Sequence, residues 1–262
     1  MNAAADLHRI QAYLRVAAPR GRDHVTIGPF LGTFTRTTSN PYLNYAIPDN
    51  DAKPTRSHID RLVTAYRERD RRPRLEYIPA VAPAVEPASV AAGFDVEMRT
   101  PLMTHAGRRA DATREPEGIA LVVATADEDL RAAASVQWEA YEEEAPMTDR
   151  ADGGLRRTLD AGGIVVLARE AATRQPAGAG LCTGPYDRTT ELAAVGVRKA
   201  FRRRGIAEAI ARRLTDEAIA IGAHNVFLMA EGPAEARIYA RAGFSQVSEV
   251  LHISLRAPDE VH

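Results

Sequence analysis

Residues 195–207 are predicted to run from a strand through a basic loop into a helix, an order of elements that can bind an anion. The loop carries three consecutive arginines, Arg202, Arg203 and Arg204. The first amides of a helix have no partner within the helix, so they can donate to phosphate oxygens, and the helix dipole favours negative charge there. Gly205 lets the backbone come close to a ligand, and Ala207 is small. The segment predicts a diphosphate site; a solvated basic turn is the alternative.

The elements around this loop must position it, and their order resembles the GNAT superfamily of acyl-CoA N-acyltransferases. The loop reads Arg202-x-x-Gly205-x-Ala207, and a long helix, a strand, a short helix with Tyr239 and then Gly243-Phe244 follow it. The family's pyrophosphate loop has Gln or Arg, two residues, Gly, one residue, then Gly or Ala, which this sequence satisfies at every fixed position. The resemblance covers residues 117–255, and more weakly residues 25–103.

The resemblance implies a role for each matching residue. Main-chain groups of the strand would contact the pantetheine arm and thioester oxygen of acetyl-CoA at Val195, Gly196 and Val197. The pyrophosphate would be held by Arg202, Arg203, Arg204, Gly205, Ile206 and Ala207. Tyr239 matches the tyrosine that in many members donates a proton to the departing CoA thiolate. The Asn often found seven residues before that tyrosine is Gly232 here, so one family contact to pantetheine is lacking.

Transfer to an amine also requires a base, because an ammonium ion has no lone pair with which to attack. Deprotonating a lysine-like amine at pH 7 costs about 4 to 5 kcal/mol. Glu191 precedes Val197 on the predicted strand, where several GNAT members carry a glutamate that serves as general base. Strict alternation would place Glu191, Ala193, Val195 and Val197 on one face. A carboxylate exposed to solvent at the strand end is the alternative.

The acceptor pocket of this superfamily is shaped by the region that here contains Trp138 and Tyr141, followed by Glu142, Glu143 and Glu144. The aromatic residues could form an apolar wall, and the carboxylates could attract a cation. This composition favours an amine acceptor. Ordinary core aromatics beside a solvated acidic helix end are the alternative.

The sequence does not support several other chemistries. The single cysteine, Cys182, cannot form an internal disulfide, and we expect it to be buried in a strand. The seven histidines are scattered without metal-ligand spacing, so no metal site is predicted. The sequence contains neither the Gly-x-Ser-x-Gly elbow of serine hydrolases nor a Gly-x-x-x-x-Gly-Lys phosphate loop.

A charged segment without apolar periodicity separates two halves of the chain. We predict a first domain over residues 1–104, a linker over residues 105–117 and a catalytic domain over residues 118–262. Each half ends in a strand, a helix that closes on Ala-Gly-Phe, and a second strand. The repetition and the resemblance imply an α/β (α+β) fold of two GNAT-like domains, each a mixed, largely antiparallel sheet flanked by helices.

The first half lacks the residues of the anion site. Ser89 occupies the position that matches Tyr239, and the acidic loop at residues 48–54, which would repel a pyrophosphate, follows a predicted strand at residues 42–47. We predict a degenerate repeat that does not bind CoA and that braces the active half or closes part of its acceptor cleft. A small domain of unrelated origin is the alternative.

Composition limits the class of protein. The chain has 262 residues, of which 45% are hydrophobic and 26% charged, as is typical of globular proteins. The formal net charge of -1 predicts neither a nucleic-acid partner nor a membrane partner. The amphipathic N-terminus does not read as a secretory signal, and no apolar run reaches the roughly 18 residues that span a bilayer. We therefore expect a cytoplasmic protein.

These features predict an N-acetyltransferase in which a primary amine of a small molecule or peptide attacks acetyl-CoA directly. The alternative is a non-catalytic acyl-CoA-binding sensor or scaffold. The identity of the acceptor, the acyl chain length and the oligomeric state do not follow from the sequence.

Overall fold

The computed structural model describes residues 3–36, 38–105, 115–141 and 153–255, and it divides into two compact units. The first comprises Met1–Leu102 and Val247–His262, and the second comprises Met103–Gln246. Most of the predicted linker, residues 105–117, lies outside the described residues. The predicted boundaries placed residues 247–262 in the C-terminal domain. They group with the first unit, where the last strand pairs with residues 74–77 and Leu251 lies opposite Tyr77.

The first unit combines helices with short strands. Its helices are α1 (Ala3–Ala17), α2 (Arg56–Arg67) and α3 (Val85–Ala91). Its strands are β1 (Asp23–Ile27), β2 (Phe30–Phe34), β3 (Ala46–Pro48), β4 (Arg74–Tyr77) and most of β5 (Asp95–His105). Short 3-10 helices lie at Pro41–Leu43 and Pro79–Val81.

The second unit begins within β5 and carries the longer elements. Its strands are β6 (Ile119–Val123), β7 (Ile164–Glu170), β8 (Pro176–Cys182), β9 (Thr189–Val197), β10 (Asn225–Met229) and the start of β11 (Phe244–Ser254). Its helices are α4 (Asp127–Ala140), α5 (Gly153–Asp160), α6 (Ile206–Ala220) and α7 (Pro233–Arg241). A further 3-10 helix lies at Lys199–Phe201.

Both halves have the repeated ending that the sequence predicts. It is β4, α3 and β5 in the first half, and β10, α7 and β11 in the second. Gly93 and Gly243 follow the two helices with φ angles of 93° and 97°. Glycine adopts this left-handed conformation without the steric cost that a Cβ atom would bring, which explains the shared Ala-Gly-Phe sequence.

The strand predicted at residues 42–47 is wrong in its first part. A 3-10 helix occupies Pro41–Leu43, and the side chain of Asn40 caps it by accepting a hydrogen bond from the Tyr42 N–H. Pro41 favours this helix start because its φ is already restricted and it has no N–H to leave unpaired. The strand is confined to β3.

The second unit contains a mixed sheet in the order β6-β7-β8-β9-β10. Neighbours from β6 to β9 run antiparallel, whereas β9 and β10 run parallel, with Glu191 opposite Phe227. A parallel pair requires a crossover connection, and α6 provides it. The predicted mixed, largely antiparallel sheet with a late strand-helix-strand crossover is confirmed.

Glycines in β8 allow α6 to pack closely on the sheet. A Cβ atom at Gly178 would lie within 2.9 Å of Ile206 and Ile210, and one at Gly180 within 2.9 Å of Ile210. The core between helix and sheet includes Leu214 and Cys182. Cys182 is buried, as expected, and burial raises the pKa of its thiol. Close packing along β8 holds the start of α6 beside the end of β9.

A buried ion network links β4, β5 and β11 in the first unit. The fully buried Arg74 donates from Nε to Glu97 at 2.9 Å and from a terminal nitrogen to Glu76 at 3.1 Å. Its other terminal nitrogen lies 2.8 Å from Nδ1 of His252, whose Nε2 lies 2.9 Å from the Thr100 hydroxyl. Because unpaired buried charges are costly, each member of this network depends on the others.

Candidate active site

Strand β9 contains a bulge at the edge of the candidate site. Residues 192–197 of β9 lie opposite residues 182–178 of β8, so five steps along one strand match four along the other. Within the bulge, Ala194 has a φ of 53°, and its carbonyl oxygen accepts a 2.9 Å hydrogen bond from the side chain of Gln137 on α4. Bulges bend a strand and redirect its side chains, and they are frequent beside active sites.

The bulge changes which residues of β9 share a face. Before it, Glu191 and Ala193 lie on the same side of the sheet as Gly196, which packs beside α4. After it, Val195 and Val197 pack against the core on the α6 side. A shift of one residue exchanges the two faces of a strand. The predicted alternation that placed Glu191 with Val195 and Val197 is therefore wrong.

Gly205 opens helix α6 and leaves its first turn accessible. It is the N-cap residue, has a φ of 76° and provides no side-chain hydrogen bond to the helix amides. Among the described residues, no heavy atom lies within 4 Å of the position that a Cβ atom would take there. The amides of the first turn and the positive end of the helix dipole can therefore interact with an anion.

The three arginines of the loop have different surroundings. Arg202 and Arg203 line a cavity at the start of α6, and Arg202 Nε also donates to the carbonyl oxygen of Val197 at 3.2 Å. Arg204 does not line this cavity. A terminal nitrogen of its guanidinium instead lies 3.4 Å from the carbonyl oxygen of Glu117, to which it donates. The structure thus brings two of the three predicted arginines to the site.

The cavity has a volume of about 490 Å³ and lies between the end of β9, the start of α6 and helix α7. This volume is typical of small-molecule sites. The strand residues that were predicted to bind the donor all line it: Val195, Gly196 and Val197. So do five predicted residues of the loop and helix: Arg202, Arg203, Gly205, Ile206 and Ala207. Tyr239 also lines the cavity, whereas the predicted residues Arg204 and Glu191 do not.

Tyr239 contributes a buried phenol to the cavity. Its ring packs edge-on against Phe244, with the centroids 6.2 Å apart. Burial raises the pKa of the Tyr239 hydroxyl, and the charges of Glu235 and Glu231 raise it further, as does Tyr141. The hydroxyl is therefore protonated at neutral pH, which is the state that a proton donor requires.

Glu208 lies in the first turn of α6. Its negative charge would oppose the binding of an anion there unless other groups neutralised it. Its Oε1 accepts hydrogen bonds of 3.1 and 3.2 Å from Arg212, and its Oε2 accepts one of 2.9 Å from Arg241. Two guanidinium groups thus offset one carboxylate. The electrostatic field at the start of α6 remains favourable to negative charge.

Comparison with known proteins agrees with this geometry. Residues 126–244 match the family model described as the acetyltransferase (GNAT) family. This segment is a GNAT acetyltransferase domain. It contains the β9 bulge, the basic loop, α6 and Tyr239, and so the resemblance predicted from the sequence is confirmed.

Several solved structures are similar in fold to most of this chain, including the GNAT domain. A GCN5-related N-acetyltransferase from Kribbella flavida is 22% identical, with 97% of each chain covered and a TM-score of 0.79. Another from Sphaerobacter thermophilus is 19% identical, with 87% of this chain and 78% of that chain covered and a TM-score of 0.63. A tandem GNAT protein from the clavulanic acid biosynthesis pathway is 13% identical, with 97% and 89% covered and a TM-score of 0.66. A search of curated proteins found no match. These structural likenesses confirm the predicted fold class.

The acceptor side of the GNAT domain is described only in part. Trp138 is half-buried on α4, and Tyr141 lines the cavity with 45% of its surface exposed. Burial raises the pKa of Tyr141 to about 12, and the charges of Glu235 and Glu231 contribute to this rise. The acidic run Glu142, Glu143 and Glu144 lies outside the described residues.

Two cavity residues of the GNAT domain, Glu231 and Glu235, were not predicted from the sequence. Glu235 precedes Tyr239 by one helical turn, so both side chains lie on one face of α7. That spacing was the available signal. Glu231 follows β10, and its main-chain N–H donates a 2.7 Å hydrogen bond to Oε2 of Glu235.

Glu191 of the GNAT domain does not line the cavity. It is half-buried, and its main chain pairs with Thr183, whose hydroxyl accepts a 3.1 Å hydrogen bond from the Glu191 N–H. It shares a face of the sheet with Gly196, which does line the cavity. Its role as general base remains a prediction.

Neither a metal-binding cluster nor a membrane-spanning helix occurs within the described ranges. In those ranges, no group of three or more His, Cys, Asp and Glu side chains is placed to hold a metal ion. No helix of the described residues combines the length and the apolar surface that crossing a membrane requires.

Proposed function

We propose that this protein is a cytoplasmic N-acetyltransferase that moves the acetyl group of acetyl-CoA to a primary amine of a small molecule or peptide. One observation carries the proposal. A single cavity joins the open start of α6, the β9 main chain after its bulge and the protonated Tyr239. An anion site, an exposed strand and a proton donor are what direct transfer from a CoA thioester requires.

The residues of the cavity fit the chemical parts of acetyl-CoA. The diphosphate would accept hydrogen bonds from the first amides of α6 and from Arg202 and Arg203. The pantetheine arm would pair with the main chain at Gly196 and Val197, as an added strand pairs with an exposed edge. Arg204 would act indirectly, because its contact with Glu117 braces the loop.

Transfer would follow direct attack on the thioester. The nitrogen of the neutral amine forms a bond with the carbonyl carbon, and main-chain N–H groups of β9 stabilise the negative oxygen. The carbon–sulfur bond then breaks, and Tyr239 donates its proton to the CoA thiolate. The proton lost by the amine passes to Glu191 or to a water that Glu191 orders, along the face it shares with Gly196.

The first unit has the features of a copy that does not bind CoA. The helix in the position of α6 is α2, and Thr55 caps it by accepting a hydrogen bond from the N–H of His58. The side chain of His58 in turn accepts a hydrogen bond from the Thr55 N–H. This capping box satisfies the His58 amide in the first turn of α2 and the N–H of Thr55, which α6 leaves without such side-chain partners. Ser89, which is fully buried, replaces the tyrosine.

The acetyl-CoA assignment is tested by placing a negative charge at the start of α6. Gly205→Glu should weaken acetyl-CoA binding at least tenfold in calorimetry, because the carboxylate repels the diphosphate and occupies the open space at Gly205. The matched control is Gly222→Glu beyond the other end of α6. Gly222 also has a positive φ, 96°, and open space around it, so this variant carries the same charge and a similar backbone strain.

Equal acetyl-CoA affinity in the Gly205→Glu and wild-type proteins would overturn the loop assignment. The sensor or scaffold alternative is separated from the enzyme by measuring release of the CoA thiol in the presence of a panel of amines. An enzyme releases the thiol in proportion to acetylated amine. A sensor binds acetyl-CoA in calorimetry and releases no thiol with any amine.

A further inference from the structure

The wall of the cavity changes sign from one side to the other. Arg202 and Arg203 line it beside the start of α6, whereas Glu231 and Glu235 line it beside the start of α7. Under the proposed function, the basic side is occupied by the diphosphate. Glu208 and Arg241 also line the cavity but pair with each other, so Glu231 and Glu235 are the carboxylates of the wall that the donor assignment does not involve.

Within the described residues, no arginine or lysine pairs with Glu231 or Glu235 as Arg212 and Arg241 pair with Glu208. Glu208 lies between Arg212 and Arg241, which both donate to it. By contrast, the charged group that acts on Glu235 within the described part of the chain is a second carboxylate, Glu231. Burial raises the pKa of Glu235, and the charge of Glu231 raises it further. The hydrogen bond from the Glu231 N–H acts in the opposite direction and lowers this pKa. Glu235 is half-buried and Glu231 is exposed, and a cation that lies between two such neighbouring carboxylates offsets their repulsion.

Aromatic rings lie beside this acidic pair. Tyr141 and Tyr239 both line the cavity, and burial raises the pKa of each hydroxyl, with the charges of Glu235 and Glu231 adding to the rise. An alkylammonium ion is bound well by carboxylates next to aromatic faces. The same surroundings offer little to an acceptor that is anionic or neutral throughout.

The amine that reacts cannot itself be the cation that this pair binds most tightly. It must lose its proton before it attacks, and an adjacent pair of carboxylates would raise its pKa and oppose that loss. A second cationic group, separated from the reacting nitrogen by a short chain, does not have this conflict. It remains charged throughout the reaction and can be held by the acidic wall.

We propose that Glu231 and Glu235 select an acceptor that carries a second cationic group in addition to the reacting amine, as a linear diamine does. This inference rests on the proposed acetyl transfer and specifies its substrate class. The two carboxylates act as specificity-determining residues: they bind the far cation, while the reacting nitrogen is left to approach the thioester beside Tyr239.

The test compares two amines of equal chain length, 1,4-diaminobutane and 1-aminobutane. The wild-type protein should acetylate the diamine with a kcat/KM at least tenfold higher. In the double variant Glu231→Gln with Glu235→Gln, the KM for the diamine should rise about tenfold and the KM for the monoamine should change little. Glutamine at position 235 retains an oxygen that can accept the Glu231 N–H, so the start of α7 is preserved.

The control variant is Glu217→Gln on α6. Glu217 pairs with Arg213 at 2.7 Å and does not line the cavity, so its loss removes a carboxylate without touching the site. This variant should acetylate both amines as the wild-type protein does. Calorimetric titration of 1,4-diaminobutane into protein saturated with CoA provides a second readout that does not depend on turnover, and the double variant should lose this binding.

The inference is overturned if both amines are acetylated equally well, or if the double variant keeps the wild-type preference for the diamine. In either case acetyl transfer itself stands. The proposed function fails in a different way, namely when neither acetyl-CoA binding nor thiol release with any amine is observed. The two failures are thus distinguishable in the same set of measurements.

Discussion

At the scale of single residues, Tyr239 has the surroundings of a proton donor. It is buried beside two carboxylates, and both burial and charge hold its hydroxyl in the protonated form. A phenol that is neutral at pH 7 can donate its proton to the thiolate as the carbon–sulfur bond breaks. Packing against Phe244 keeps the ring in position.

Tyr239→Phe should lower kcat by about a hundredfold or more and leave acetyl-CoA affinity close to the wild-type value. The substitution removes the proton donor and keeps the ring that packs against Phe244. Thiol-release kinetics and calorimetry measure the two quantities separately. The control is Tyr77→Phe, which removes a buried hydroxyl in the first unit and should leave kcat unchanged. Unchanged turnover in Tyr239→Phe would remove the acid role.

Single residues also mark the limit of prediction from sequence. Tyr239, Gly205 and Arg202 were identified because each lies at a fixed place in a local pattern, and all three line the cavity. Glu231 and Glu235 were missed because an acidic residue near a helix start is common. Nothing in the neighbouring sequence distinguishes a carboxylate in a cavity wall from one in solvent.

At the scale of elements, α2 and α6 differ in whether a side chain caps the first amides of the helix or leaves them accessible to a ligand. Both are helices that begin after a loop, and both precede the strand, helix and strand that end their half. The start of α2 is closed by Thr55 and His58, whereas the start of α6 is opened by Gly205. The capping residue therefore decides whether the first amides are available to a ligand.

We expect the ion pairs of Arg74 with Glu76 and Glu97 to stabilise the packing of β4, β5 and β11. Arg74→Leu should lower the free energy of unfolding by about 3 to 5 kcal/mol, because Glu97 would lose its ion pair and Glu76 would keep only His252. Urea denaturation measures the change.

Two further variants control for the loss of an arginine as such. Arg36→Leu removes the partner of Asp23 in an exposed pair and should leave the urea midpoint near the wild-type value. Adding Glu76→Gln and Glu97→Gln to Arg74→Leu should recover part of the lost stability, because the uncompensated charges are then removed. A wild-type midpoint in Arg74→Leu alone would contradict the proposed role of the network.

At the scale of the whole molecule, buried ionisable groups in both units link stability to alkaline pH. Burial raises the pKa of Tyr66 and Tyr77 in the first unit and of Tyr239 in the second, each from an ordinary value of 10.0. Above that pH the unfolded chain loses protons that the folded protein retains. The unfolded state then binds fewer protons, so stability falls as pH rises.

The urea midpoint should therefore begin to fall as the pH passes 9, the ordinary pKa of the buried Cys182 thiol, and should fall more steeply as the pH passes 10. Tyr66→Phe removes one contributing group and should reduce the fall for the transition of the first unit. Tyr186→Phe removes a hydroxyl from a tyrosine that is 45% exposed and serves as the control. An identical alkaline loss in the Tyr66→Phe and wild-type proteins would contradict the assignment to buried tyrosines.

Features that depend on neighbouring residues could be predicted from the sequence. The arginine-glycine loop before α6, the two Ala-Gly-Phe helix ends and the order of strand, helix and strand all follow from local capping, turn geometry and apolar spacing. Tertiary structure alone decided the phase of β9, the turning of Arg204 toward Glu117 and the meeting of Glu231 and Glu235 with Tyr239. These outcomes depend on how segments far apart in the chain pack together, which local sequence patterns do not encode.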